Sequence, residues 1–180
     1  MENNLLRRLK DGDDKAFEEL YDKYGEYALR VATAITKNHA TAADVVQETF
    51  IRVYHYIDNF DINKPFEPWF YRILVNECNR SFKKHHDNLP ISDYLENSSM
   101  FAKEDDHEFV EYQYLYEAIE NLKDIYRIPI ILKYLKGFKE AEIAEILGIN
   151  QNTIKSRLLK GRQYLKLALN HYKERSLGNE

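Results

Sequence analysis

Apolar residues recur every three or four positions in the first part of the chain, as they do on the buried side of a helix. The stripe starts just after Asp13 and Asp14, either of which can cap the free N–H groups at a helix start. The pattern therefore predicts a long helix with one apolar side. That side comprises Phe17, Leu20, Tyr21, Tyr24, Ala28, Val31 and Ile35.

Two further helices are predicted in the same block. One opens at Thr41, with Asp44 three positions later as a weak form of the capping box, and keeps a four-residue repeat as far as Ile57. The other begins near Pro68, because proline is favoured in the first helical turn, and runs to about Lys84. We expect these helices to pack as one domain.

Residues 140–162 have the pattern of a helix-turn-helix. The first helix has an apolar face, Gly148 supplies the turn, and Asn150 is placed to cap the second helix. Spacings of three and four predict which side chains of the second helix pack inward. These are Ile154, Leu158, Gly161, Leu165 and Leu169.

Two more helices, at about 109–121 and 126–136, are predicted before the helix-turn-helix. Pro129 must lie in the first turn of its helix or kink it, because proline lacks a backbone N–H. No alternating run of apolar and polar residues predicts a strand, and no internal repeat is found. The expected fold class is therefore all-α.

The 180 residues carry a net charge of -4 that is unevenly distributed. Residues 85–108 have no sustained period and contain Pro90 and a single cation, Lys103. We therefore predict two small helical domains, residues 1–84 and 109–180, joined by a flexible acidic linker. Its acids are Asp87, Asp93, Glu96, Glu104, Asp105, Asp106 and Glu108.

The second helix of the helix-turn-helix is suited to DNA. Lys155, Ser156, Leu159 and Lys160 are expected to face solvent, and no Asp or Glu occurs from residue 151 to 173. An acid-free, cationic helix can enter a major groove lined by phosphates. A solvated basic face alone would be the ordinary interpretation, but the turn and the missing acids together favour DNA binding.

The first block contains two further candidate surfaces. On the helix that follows Thr41, polar and apolar side chains from Asp44 to Tyr54 point away from the apolar stripe and can seat a partner protein. On the helix that follows Pro68, Trp69 and Phe70 should be at least half buried. A basic edge with exposed asparagines beside them suits single-stranded nucleic acid.

Metal, cofactor and catalytic sites are not predicted. Cys78 is the only cysteine, which excludes an intramolecular disulfide and a Cys/His zinc cluster and favours a reducing cytoplasm. His85 and His86 are more typical of a solvated pair than of metal ligands. No phosphate loop or nucleophile elbow occurs, and no apolar run has the length of a membrane span.

In this order, the segments resemble the extracytoplasmic-function sigma factors, a compact group of bacterial transcription initiation factors. The resemblance covers nearly the whole chain. It rests on four segments. Residues 12–21 resemble the opening helix of the family, and residues 43–54 resemble its most characteristic segment. Trp69–Asn76 resembles the promoter-melting segment, and Thr153–Leu158 resembles the segment that recognises the minus-35 element. The family more often has a serine-like cap at Lys139, arginine at Lys160 and alanine at Gly161.

The resemblance implies roles for individual residues. The chain would bind core polymerase at the clamp helices of its largest subunit and at the flap of the second-largest. The residues that would contact the clamp are Asp44, Gln47, Glu48, Ile51 and Tyr54. Minus-10 DNA would be bound by Phe60, Asn63, Lys64, Phe66, Asn76, Asn79, Arg80, Lys83 and Lys84. Minus-35 DNA would be bound by Thr153, Lys155, Ser156, Arg157, Lys160 and Arg162.

The resemblance also implies promoter DNA and an anti-sigma factor as partners, with no direct insertion of this chain into a membrane. A chain that relies on polymerase for most phosphate contacts can be acidic. The alternative is a classical helix-turn-helix repressor or activator that binds duplex DNA alone. That alternative explains the second domain but not the strip from Asp44 to Tyr54. An enzyme is the third reading, and no pattern of titratable residues supports it.

Overall fold

The computed structural model describes the backbone of residues 2–86 and 107–177 and the side chains of residues 3–83 and 114–171. Within these ranges the secondary structure is helical with no strand, which confirms the predicted fold class. The chain divides into two compact units. Residues 87–106 of the predicted linker lie outside the described residues. None of the described helices is both long and apolar enough to cross a membrane.

Up to residue 86, the described part of the chain forms four α-helices. They are α1 (Glu2–Lys10), α2 (Asp14–Thr36), α3 (His39–Tyr56), which continues into a short 3-10 turn, and α4 (Phe66–His86). The sequence analysis did not predict α1 as a separate helix. Its buried side chains, Leu5, Leu6 and Leu9, pack towards α2 and the 3-10 turn.

The start of α3 corrects one prediction. Of the two caps predicted for α2, Asp13 is the one that serves, because its side chain accepts a hydrogen bond from the Lys15 N–H. Helix α3, however, begins at His39 and not at Thr41. Asn38 has an extended backbone and accepts the Thr41 N–H at 2.9 Å, so it is the cap that begins the helix. Thr41 belongs to the first turn.

Aromatic rings form the centre of the first unit. Tyr24 lies 5.4 Å from Phe66 and 5.2 Å from Phe70, measured between ring centroids, and Phe50 lies 5.4 Å from Phe70. These rings join α2, α3 and α4 in one core. Tyr21 was predicted on the buried stripe, but its side chain is 52% exposed because it lies at the edge of the α2–α3 contact.

The second unit contains α5 (His107–Glu120), α6 (Asp124–Tyr134), most of α7 (Glu140–Leu147) and α8 (Gln151–Leu177). Pro129 is buried in the second turn of α6, which rules out the first of its two predicted alternatives, a place in the first turn, and the helix extends beyond it. Gly161 of α8 faces α6: a Cβ atom there would approach Ile130 Cγ1 to 3.0 Å. The glycine therefore permits a close contact between these two helices.

A buried arginine fixes the junction of α5 and α6. Arg127 is 2% exposed, pairs with Asp124 at 2.7 Å, and donates hydrogen bonds to the carbonyl oxygens of Glu120 and Leu122. Burial lowers the pKa of Arg127 from its ordinary value, and the negative charge of Asp124 opposes that change. The Arg127 guanidinium thus donates to carbonyl oxygens at and just after the C-terminus of α5, so this side chain serves the fold.

Candidate functional site

The outward side of α3 carries most of the residues predicted to seat a partner protein. Asp44 and Gln47 are exposed, and the valines on the opposite side are buried. Ile51 and Tyr54 are 41% and 54% exposed. Carboxylate, amide and apolar side chains therefore share one accessible strip, with the orientation that the sequence predicted.

Glu48 lies on this strip but is already paired. Its carboxylate is 3.0 Å from Nη2 of Arg52. Nε of the same arginine lies 2.6 Å from Oε1 of Glu77 on α4, but this second contact is not aligned as a hydrogen bond. Arg80 donates a hydrogen bond to the same Oε1 at 3.0 Å. Glu48, Arg52, Glu77 and Arg80 therefore form a continuous series of alternating charges from α3 to α4, which we call the charge chain.

An open apolar groove lies beside the strip, between α2 and α3. It encloses about 570 Å³ and is lined by Phe17 and Tyr21 from α2 and by Gln47 and Phe50 from α3. The rings of Tyr21 and Phe50 lie 4.9 Å apart, and those of Phe17 and Tyr54 lie 5.6 Å apart. Sequence reasoning missed the contribution of α2, because Tyr21 was assigned to the core.

The edge of α4 presents amides and cations. Asn76, Asn79, Arg80 and Lys83 are all exposed, which agrees with the predicted polar, basic edge. The backbone of Lys84 continues α4, but its side chain lies outside the described residues. Amides offer both donors and acceptors, so this edge can contact base edges as well as phosphates.

The loop before α4 is held by a local hydrogen-bonded turn. Oδ1 of Asp61 accepts hydrogen bonds from the backbone N–H and the side-chain Nδ2 of Asn63, each at 3.0 Å. The backbone N–H bond is the main reason that the pKa of Asp61 lies below its ordinary value. Asn63 and Lys64 remain exposed at the tip of the loop.

Two aromatic residues of the predicted minus-10 set are not at the surface. Phe60 and Phe66 are 5% and 1% exposed, and their rings lie 5.7 Å apart. Phe60 also packs on Trp69, with ring centroids 4.8 Å apart. In this arrangement the two phenylalanines support the loop from below and do not present a ring to a base. Phe70 is fully buried and Trp69 is largely buried, as expected.

Local hydrogen bonds define the helix-turn-helix. Gly148 has φ +63°, a conformation that other residues rarely adopt, and it ends α7. Asn150 accepts the N–H of Asn152 at 2.7 Å, which confirms its predicted role as the cap of α8. At the start of α7, the carboxylate of Glu142 accepts the N–H of Lys139, so this helix is capped without a serine-like residue.

Helix α8 has one buried and one exposed side. Ile154 and Leu158 are fully buried, whereas Arg157 is partly exposed. The exposed side also carries Leu159, which is 51% exposed. It contains every other residue predicted to contact minus-35 DNA. They are Thr153, Lys155, Ser156, Lys160 and Arg162.

Two hydrogen bonds orient polar side chains on the exposed side of α8. The Ser156 hydroxyl donates to the carbonyl oxygen of Asn152 at 3.0 Å, so its oxygen lone pairs remain to accept from a ligand. Nη1 of Arg162 donates to the hydroxyl of Tyr134 on α6 at 3.2 Å. Tyr134 is 58% exposed and was missed by the sequence analysis, because only the tertiary contact places it beside α8.

Among the described side chains, no group of three or more His, Cys, Asp and Glu residues is arranged to hold a metal ion.

Comparison with protein families identifies both units. Residues 20–87 match Sigma-70 region 2, and residues 112–165 match Sigma-70 region 4. The first match covers α3 and α4 with most of α2, and the second covers the helix-turn-helix. The α3 strip, the α4 edge and the exposed side of α8 therefore all lie within the matched segments.

Characterised relatives match along almost the whole chain. The ECF RNA polymerase sigma factor SigW of Bacillus subtilis is 34% identical over 176 residues, which cover 91% of this chain and 94% of SigW. SigM of the same organism is 31% identical and covers 85% of this chain and 94% of its own length.

A solved structure agrees with these matches. The sigma factor RpoE from Bartonella quintana, in its co-crystal structure with the anti-sigma factor NepR, has a TM-score of 0.70 and 25% identity. The match covers 87% of this chain and 98% of RpoE. A helix-turn-helix repressor would account for the second unit alone, and these comparisons do not favour it. The chain belongs to the extracytoplasmic-function (ECF) RNA polymerase sigma factors, which are transcription initiation factors and not enzymes.

Proposed function

We propose that this sigma factor divides its work among three surfaces: α3 for polymerase, the edge of α4 for melted minus-10 DNA, and α8 for minus-35 duplex. The observation that carries the proposal is the separate exposure of three chemically different faces on a two-unit all-helical fold. Each face has a composition that suits its proposed ligand.

The α3 strip is proposed to bind the clamp helices of the largest polymerase subunit. Asp44, Gln47 and Glu48 supply acceptors for basic side chains, and Ile51 and Tyr54 supply apolar contacts. Interfaces of this kind combine a hydrophobic centre with a polar rim. The adjoining groove between α2 and α3 would extend the apolar part of the contact.

The α4 edge and the loop tip are proposed to bind the unpaired strand of the minus-10 element. Asn76 would contact a base that has left the duplex, and Asn63 would contact the same pocket from the loop. Lys64 and the α4 edge would contact phosphates or further bases, with Phe60 and Phe66 as the support beneath. The edge comprises Asn79, Arg80, Lys83 and Lys84.

Helix α8 is proposed to read the minus-35 element from the major groove. Lys155, Ser156 and Lys160 would reach base edges, while Thr153, Arg157 and Arg162 would lie on or near the phosphates. This unit would also contact the flap of the second-largest subunit. The 85–108 linker is proposed to pass through the polymerase interior, where its acidity resembles that of nucleic acid.

The proposed setting is the cytoplasm, where bacterial polymerase acts. The structure of RpoE with NepR supports the further proposal that an anti-sigma factor binds this chain, since RpoE and this chain share the fold along most of their length. Such a partner would compete with polymerase for exposed surfaces of the first unit.

Run-off transcription with bacterial core polymerase tests the proposal. Asp44→Lys should weaken polymerase binding strongly, because reversing a charge in a desolvated interfacial pair costs about 2–5 kcal/mol. Asp11→Lys, a charge reversal at an exposed acid in the turn between α1 and α2, is the matched control. Equal loss with both variants, or normal transcription with Asp44→Lys, would contradict the assignment of the α3 strip.

A further inference from the structure

The charge chain joins two surfaces that the proposed function assigns to different ligands. Glu48 lies on the strip proposed for polymerase, and Arg80 lies on the edge proposed for minus-10 DNA. Arg52 and Glu77, which lie between them, belong to neither predicted set. Their side chains are 27% and 7% exposed, so a ligand has little access to them.

Glu77 cannot be left without a cation. A carboxylate with this degree of burial is costly unless it is paired, because it has lost most of its contact with water. Two arginines approach the same oxygen, Oε1: Arg52 at 2.6 Å and Arg80 at 3.0 Å. The two cations therefore share one acceptor, to which only Arg80 now donates an aligned hydrogen bond, and an aligned bond from Arg52 would weaken the hold of Oε1 on Arg80.

Arg52 is itself shared. Its Nη2 pairs with Glu48 while its Nε faces Glu77. If a basic group of polymerase takes Glu48, Arg52 is left with Glu77 as its acid in the charge chain and can turn its Nε–H into line with Oε1, an alignment that the contact now lacks. Arg80, whose side chain is 55% exposed, then loses part of its contact with Oε1 and becomes available for a phosphate.

We infer that Arg52 and Glu77 are positioning residues through which polymerase binding at Glu48 increases the availability of Arg80 for the minus-10 strand. This inference rests on the proposed function of the two surfaces. Coupling of this kind is reciprocal: DNA binding at Arg80 strengthens polymerase binding at Glu48 by the same factor. A device of this kind would favour DNA contact after the chain has joined polymerase.

The test measures binding of a fluorescein-labelled single-stranded 20-mer of mixed sequence to the full chain by anisotropy, at low salt. Glu48→Gln imitates the loss of Glu48 to polymerase and should raise DNA affinity about threefold, near the lower end of couplings within one ion-pair network. Asp44→Asn is the matched control. It removes one negative charge from the same strip but lies outside the charge chain.

The background variants distinguish coupling from a simple change in net charge. In an Arg80→Gln background, the gain from Glu48→Gln should disappear, while any small gain from Asp44→Asn should persist. Arg52→Gln should lower DNA affinity, because Glu77 then holds Arg80 alone, and it should abolish the effect of Glu48→Gln. Glu77→Gln should have the opposite effect to Arg52→Gln and raise the affinity for DNA. Urea unfolding of each variant checks that the first unit is folded.

A gain from Glu48→Gln that survives in Arg80→Gln or in Arg52→Gln would overturn the inference. So would equal gains from Glu48→Gln and Asp44→Asn. If Glu77→Gln does not fold, the DNA affinity of the Arg52→Gln variants decides whether the inference holds. A wild-type chain that binds neither core polymerase nor this DNA would refute the proposed function, and the inference with it. If the wild-type chain binds both ligands but the effects of the variants on DNA affinity simply add, the inference is refuted and the proposed function is not.

Discussion

The first unit spreads its candidate surfaces over three helices that share one aromatic core, whereas the second unit presents its DNA-reading side chains mainly from one helix, α8. In the first unit, Phe50 and Phe70 are core neighbours, and each lies on a helix that also carries proposed ligand contacts. In the second unit, Ile154 and Leu158 anchor α8 while Lys155 and its exposed neighbours stay clear of the core.

This difference determines where a mutation can change ligand binding without changing the stability of the fold. On α8, buried and exposed residues alternate along a capped helix, so a change on the outer side leaves the packing intact. In the first unit, the charge chain and the Phe60–Phe66 support place functional and structural residues in direct contact. We therefore expect mutations there to affect stability and binding together.

The largest expected effect is on the aromatic core. Phe70→Ala should destabilise the first unit by about 3–5 kcal/mol, because a fully buried ring leaves a cavity among Tyr24, Phe50 and Phe66. Hydrogen exchange in urea should show early loss of protection in α2, α3 and α4, with protection retained in α6 and α8. Leu167→Ala, at a residue 59% exposed, is the control and should change little.

The contact between α6 and α8 should be the next most sensitive feature. Gly161→Leu should cost the second unit about 1–3 kcal/mol, because the new side chain overlaps Ile130, which is 2% exposed. Gly161→Ala is the informative control. Its gain in helix propensity of about 1 kcal/mol offsets the small shift that Ile130 must make, so stability should stay near wild type. A stable leucine variant would show that the helices separate easily.

A smaller effect, confined to function, should separate the two DNA surfaces. Lys155→Ala should reduce closed-complex affinity about tenfold, within the range for a lost base contact, without changing stability. Asn76→Ala should leave closed-complex binding nearly normal and reduce open-complex formation. Permanganate footprinting beside a duplex-binding assay distinguishes the two steps. Failure of both variants at the same step would contradict the division of labour.

The smallest expected effect is on acid stability. The hydrogen bond from Arg8 is the largest reason that the pKa of Asp13 lies below its ordinary value of 3.8. The stability that this carboxylate contributes is therefore fully present above pH 3.8 and is lost as the pH falls through the lower pKa of the folded state. Asn150, which caps α8, carries no charge and contributes no such dependence.

Urea unfolding of the first unit between about pH 5 and about pH 2 measures this difference. Asp13→Asn should keep the cap, because asparagine is an equally good capping residue, but should flatten this part of the acid dependence. An unchanged pH profile in Asp13→Asn would show that other carboxylates govern the acid unfolding of this unit.

The sequence by itself determined the helical class, the division into two blocks and the cap of α8. The helices and the cap depend on residues within a turn or two of one another: apolar spacing predicted α2 and α8, and Asn150 lies next to the helix that it caps. The division into blocks was read from the aperiodic, acidic composition of residues 85–108. The motif order also identified the family, which the matches to both sigma regions confirmed. The start of α3 was predicted wrongly, because the pattern placed it at Thr41 and overlooked Asn38, which caps the helix.

Only the tertiary structure decided which distant side chains meet. The pairing of Arg52 with Glu77, the contact of Gly161 with Ile130 and the groove between α2 and α3 each require a particular rotation of one helix against another. Periodicity defines the apolar side of a helix but not the neighbour that covers it, nor whether a ring such as Tyr21 lies at the centre or the edge of that contact. Packing of whole helices sets these relations, so no local pattern contains them.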